Sequence, residues 1–336
     1  MGEKMNQNNE RLTSSEISNI WTHYLRETMG LCVIKYMLIT IQDPEIHKVF
    51  KTAYGLCEKH INKLKELFLQ ENFPVPKGFY EEDVNLDAPP LFTDLFCLNY
   101  IHAMTMHGSQ SYSLAFTLSI RQDIRDFYYQ CNLDTMDLYN QSITVLIAKK
   151  LLDKPPYYST PDKIHFIKNL DYVTDLIGSK RTMNTIECGN IYFNLEKSIV
   201  TKGCLIAFKQ VCKDKAITRF LDKCINAANK HIGIFTTLLL KEDLHLPRSF
   251  DSEITNSNVA PFSEKLMLFH SGFLFAAAIS YYGSAAIYSM RADIAIQCEK
   301  AIMDDLLVYS NFGKLIIKKH WMEQPPNADD RKIINN

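Results

Sequence analysis

Apolar residues recur along this chain at helical spacing, and the whole pattern occurs twice. Ile17, Ile20, Trp21, Tyr24 and Leu25 share one face of a 3.6-residue period, as do Ile46, Phe50, Tyr54, Cys57, Ile61, Leu64 and Phe68. Thr13 followed by Glu16 reads as a capping box opening a first helix, because the hydroxyl accepts from a free N–H while the Glu reaches back. Asn184 and Glu187 repeat that signal. Pro44 suits the first turn of a second helix, predicted to run to about Gln70. A Pro-containing stretch follows at 73–90 and again at 244–261. A third helix is predicted over about 91–118 and 262–288. A fourth starts after the turn Ser119–Asp123 and runs to about Leu152, with Pro155 and Pro156 as its stop.

The repeat is residue by residue. Lys59, His60 and Ile61 recur as Lys230, His231 and Ile232, 171 positions on. Beyond a one-residue gap the spacing is 170: Ser119, Arg121, Asp123 and Ile124 recur as Ser289, Arg291, Asp293 and Ile294. The chain is therefore expected to be all-α, a tandem duplication of one four-helix bundle. Short outer connections around a long crossover between the second and third helices give the ferritin-like arrangement. The expected organisation is a disordered tail at 1–12, a first bundle at 13–155, a linker at 156–183, a second bundle at 184–326 and a tail at 327–336. The linker is expected to hold a short helix near Tyr172–Ile177.

Two runs then stand out. No charged side chain lies between Asp94 and Arg121, nor between Lys265 and Arg291. Each run is long enough to span a bilayer, but Asn99, His102, Thr105, His107 and Gln110 make the first too polar for lipid. The expectation is a helix buried on all sides, with the third helices packing on each other or on a protein partner. No membrane is expected. A net charge of -1 supplies no field for nucleic acid. Nine irregularly spaced Cys read as reduced, buried thiols in a cytoplasmic protein. The N-terminus has no apolar core, so neither a signal peptide nor an anchor is expected.

A bundle of this kind raises the question of a metal. Di-iron bundles take a Glu from each of two helices and a Glu-x-x-His pair from each of the others. Here Cys57 stands three before His60, Ala228 stands three before His231, and Ser198 replaces Glu27 in the second copy. No catalytic residue, metal or cofactor is expected. If the first bundle holds a single ion or small ligand, its residues are Glu27, His60, His102, His107 and Asp134 at mid-helix. The plainer expectation is a buried polar pair in each copy, His60 with Asp134 and His231 with Asp304. Arg121 with Asp123, and Arg291 with Asp293, are expected to cap and brace the turn before the fourth helix. Tyr139 and Tyr309 read as core residues with bonded hydroxyls.

The segments TSSEISNIW, ENFPVPKGF, EDVNLDAPPLF, SIRQDI, MDLYN and EQPPNADDRK resemble an uncharacterised family of Bacillus and related spore-formers. It is the domain-of-unknown-function family three-two-three-one, and the resemblance covers both copies. It implies a ferritin-like bundle distantly similar to the spore coat protein F group, with no established activity. The expected function is a non-enzymatic structural or interaction protein tied to sporulation or the coat. The alternative is a metal- or small-ligand-binding bundle, redox-active through its first half.

Overall fold

The computed structural model describes residues 11–173 and 181–328. The expected N-terminal tail lies almost wholly outside the described residues, as do most of the expected C-terminal tail and of the short linker helix. Only a 3-10 turn, Leu170–Tyr172, is seen in the linker.

The described residues form eight α-helices and no named strand. The first copy comprises α1 (Ser14–Thr40), α2 (Pro44–Gln70), α3 (Asp94–Thr117) and α4 (Gln122–Ala148). The second comprises α5 (Thr185–Val211), α6 (Lys215–Leu240), α7 (Glu264–Tyr288) and α8 (Ala292–Lys318). Local chemistry sets these ends. Thr13 and Asn184 each close a capping box with the Glu three residues on. Asp43 and Asp214 each accept two N–H groups from the first turn that follows. The proline pair does not stop the fourth helix. α4 ends at Ala148 and α8 at Lys318, where Lys150 and His320 adopt left-handed φ of 58° and 57°. These residues take the place glycine usually holds at a helix C-terminus.

The copies are joined by reciprocal contacts. Val84 pairs with Phe262 and Phe92 with Ile254, both antiparallel, and the 170-residue shift maps one bridge onto the other. Ser263 Oγ donates to Asp83 Oδ1 at 2.5 Å, and its counterpart Thr93 Oγ1 donates to Glu253 Oε2 at 2.6 Å. Such reciprocity is the mark of a two-fold interface. Along the third helices, residues meet their own counterparts. Tyr100 hydroxyl and His270 Nε2 are 3.2 Å apart, and Gln110 Nε2 donates to Ser280 Oγ at 2.8 Å. The same register at two points places α3 and α7 side by side, running in one direction about the pseudo-twofold axis. One apolar core accordingly runs through both copies, from Met29 in α1 to Ile316 in α8. A smaller cluster around Ile20, Tyr24, Phe68 and Tyr128 fills the rest of the first bundle.

α7 is long and apolar enough to cross a membrane by length and composition, and more than half of its apolar stretch is buried inside the protein. Burial on all sides fails at the C-terminal ends of both third helices. Leu114, Leu118, Ile287 and Tyr288 are exposed there.

Candidate functional site

The sharpest repeated local structure is the turn before the fourth helix. Glu16, fully buried, accepts from Thr13 N through one oxygen and from Ile120 N and Arg121 N through the other. Glu187 does the same with Asn184, Met290 and Arg291. One carboxylate therefore ties the start of a first helix to the start of a fourth. Asp123 and Asp293 lie inside that fourth helix rather than at its cap position, which Arg121 and Arg291 occupy. Each Asp grips its Arg, which also reaches Glu71 or Glu242 at the end of the second helix. Every group here has a partner from the chain itself, so the turn is a brace.

The mid-helix layer of the first bundle is built on His60. Its Nδ1 faces Glu27 Oε1 at 3.4 Å and its Nε2 faces Asp134 Oδ2 at 3.2 Å. Tyr112 on α3 donates its hydroxyl to Glu27, and Lys59 Nζ donates to Asp134 Oδ2 at 2.7 Å. Burial alone would drive the proton off His60. The Glu27 carboxylate overrides that and, with a contact to Cys131, holds the imidazolium up to about 11. Burial would also raise Glu27, but His60, Tyr112 and Cys57 keep its carboxyl below the usual range. Burial and the same carboxylate push the Cys57 thiol up.

The other two histidines expected in this layer turn elsewhere. His102 Nδ1 meets Ser142 Oγ at 3.0 Å, and its ring packs on Tyr139. His107 Nδ1 meets the Tyr281 hydroxyl of the second copy at 2.8 Å. Burial makes both reluctant to protonate, His102 down to about 4 and His107 down to about 3. Tyr139 is half-buried and Tyr309 exposed, so neither is the core residue expected; the apolar periodicity of the fourth helix continues onto its outer face.

The second bundle reaches a different solution. His231 stands 3.6 Å from both Asp304 and Asp305, and its Nδ1 lies 3.2 Å from the Tyr282 hydroxyl. Tyr282 also meets Ser198, the residue at the Glu27 position. Without that carboxylate, burial wins and lowers His231 to about 4. The acid has moved to Asp305, fully buried on α8, with no hydrogen bond to either oxygen. Facing it is Lys197, at the position of Arg26, with its ammonium 4.6 Å over the Tyr282 ring. Burial drives both members toward their neutral forms, and their mutual attraction opposes it.

Sequence reasoning brought Glu27, His60 and Asp134 together but missed Tyr112, Tyr282, Arg26, Lys197 and Asp305. The repeat spacing that pairs Tyr112 with Tyr282 and Arg26 with Lys197 was the available signal.

A cavity of about 130 Å³ adjoins the first layer. Glu27, His60, Tyr112, Thr135 and Arg26 line it, together with Phe273 from the second copy. The donor set does not suit a bridged pair of cations. His60 stands between its two carboxylates with one ring nitrogen toward each. Among the described residues no group of three or more His, Cys, Asp or Glu is arranged to hold a metal ion.

A duplicated all-helical molecule, two four-helix units sharing one core, is the class these elements define. The chain belongs to the family described as "Protein of unknown function (DUF3231)", whose model matches it twice, over residues 1–164 and 171–334. No curated protein matches it. Among solved structures, a putative spore coat protein from Bacillus halodurans is similar at 21% identity and a TM-score of 0.42. That match covers 46% of this chain and 100% of the other.

Proposed function

We propose that this is a non-enzymatic structural or interaction protein of a spore-forming bacterium, made in the cytoplasm and associated with the spore. One observation carries the interaction reading. Both copies turn the same apolar positions of the fourth helix outward: Leu133 and Met303, Met136 and Leu306, Ile147 and Ile317. Apolar patches repeated on the outside of one molecule suit attachment to other proteins. The mid-bundle layers support a non-catalytic role, because their charged groups are engaged mainly with one another and the buried thiols are held protonated. The spore association rests on the distant similarity to the spore coat protein F group that the family resemblance of the quoted segments implies.

The test is fractionation of spores carrying the tagged protein, with a Met136→Lys/Leu306→Lys variant beside it. The intact protein is expected in the spore fraction and the variant is expected to be lost from it while remaining folded. Expression confined to vegetative growth, or equal incorporation of the variant, would sink the proposal.

A second reading has its own support. The cavity of the first bundle is large enough for a small molecule, which favours a ligand-binding role for that half.

A further inference from the structure

In these two layers the buried cations His60 and Lys197 face carboxylates, and the half-buried Arg26 does not. His60 has Glu27 and Asp134, and Lys197 has Asp305. Arg26 has none: its guanidinium carbon sits 4.6 Å over the Phe273 ring, and among the described residues it makes no hydrogen bond or ion pair. The duplication explains what is missing. Lys197 occupies the Arg26 position, and the residue at the Asp305 position is Thr135, which lines the cavity beside Arg26. The second bundle carries its counter-anion on α8. The first has a neutral side chain and empty volume at that place.

We propose that the cavity of the first bundle binds a small monoanion with an apolar body, a short branched-chain monocarboxylate, whose carboxylate pairs with Arg26. The proposal rests on the second reading above, that this bundle holds a small molecule. Three features select the class. Size comes first: a cavity of comparable volume accommodates benzene, so a ligand of about six non-hydrogen atoms fits. Charge is second. Arg26 and the imidazolium of His60 share the site with Glu27, while Asp134 is held by Lys59, and one positive charge is left over. A half-buried guanidinium without a carboxylate has lost part of its hydration, and a ligand carboxylate offsets that loss. The third feature is the wall. Met29, Ile34, Ala53 and Leu138 offer an apolar surface to the ligand's body. A guanidinium suits a carboxylate through paired donors.

Isothermal titration of the full chain with isobutyrate, and with its neutral isostere isobutyramide, tests this. Isobutyrate should bind at least about tenfold more tightly than the amide. Arg26→Gln should weaken isobutyrate by at least about tenfold and leave the amide little changed. Thr135→Asp, which installs the carboxylate of the second bundle, should abolish isobutyrate binding without loss of thermal stability. Lys197→Gln should leave binding intact. Equal binding of acid and amide, or undiminished binding in Thr135→Asp, would overturn the anion assignment and leave the ligand-binding reading standing. If neither compound binds at millimolar concentration, both fail.

Discussion

The two bundles share an outer frame and differ in the layer at their centres. Tyr112 and Tyr282, His60 and His231, and Asp134 and Asp304 are common to both. The buried carboxylate is not. It sits on the first helix as Glu27 in one copy and on the last as Asp305 in the other. This move changes the state of an identical residue. Beside Glu27 the histidine is a cation, while beside Ser198 it is neutral. Residue identity at a repeat position therefore does not fix its charge; the neighbour on the next helix does. The braces at Glu16 and Glu187 have no such freedom, since each must satisfy backbone N–H groups that are fixed by the fold.

The largest expected effect comes from breaking the charged layer. Glu27→Leu leaves His60 and the Tyr112 hydroxyl buried without their partner and is expected to cost about 3–5 kcal/mol in urea unfolding. A contrasting change in the second bundle, Lys197→Met with Asp305→Leu, removes both charges at once. It is expected to be neutral or stabilising by about 1–4 kcal/mol. A loss from the double variant as large as that from Glu27→Leu would show that the Lys197–Asp305 pair stabilises the second bundle by more than its burial costs.

A smaller effect is expected at the braces, the greater at Glu187, where Arg181 also donates to both carboxylate oxygens. Glu16→Gln and Glu187→Gln each weaken hydrogen bonds accepted by a buried carboxylate, and each should cost about 2 kcal/mol. The two sites lie in separate bundles, so the double variant should show the sum. A large cost at one site and none at the other would mean that the copies no longer share this frame.

Much of the frame was legible in the sequence. Capping boxes, Pro44 and the periodic apolar stripes placed the helix starts, because those signals act within one turn. The uncharged runs drew attention to the third helices, which touch through the side chains of Tyr100 and His270 and of Gln110 and Ser280. Helix ends were read less well. Lys150 and His320 stop the fourth helices through a left-handed conformation that neither residue advertises. The pairing of His60 with Asp134 followed from mid-helix height. Arg26 and Lys197 did not stand out, because a lone basic residue on an amphipathic helix usually reaches solvent. Tyr112 sat in a helix of mixed pattern, where one aromatic looks like any other core residue. Which of these side chains meet depends on packing between helices, and a single chain's periodicity does not encode it.

The most direct measurement is the protonation state of His60 and His231, followed by NMR of the ring nitrogens across pH. His60 should remain an imidazolium through pH 8, and His231 should remain neutral down to about pH 5. The consequences for stability have opposite signs. The contribution of His60 is complete below the ordinary histidine range and is lost as pH rises toward about 11. That of His231 is present above the ordinary range and is lost as pH falls toward about 4. Two histidines titrating together near 6.5 would contradict the claim that the bundles have diverged at their centres.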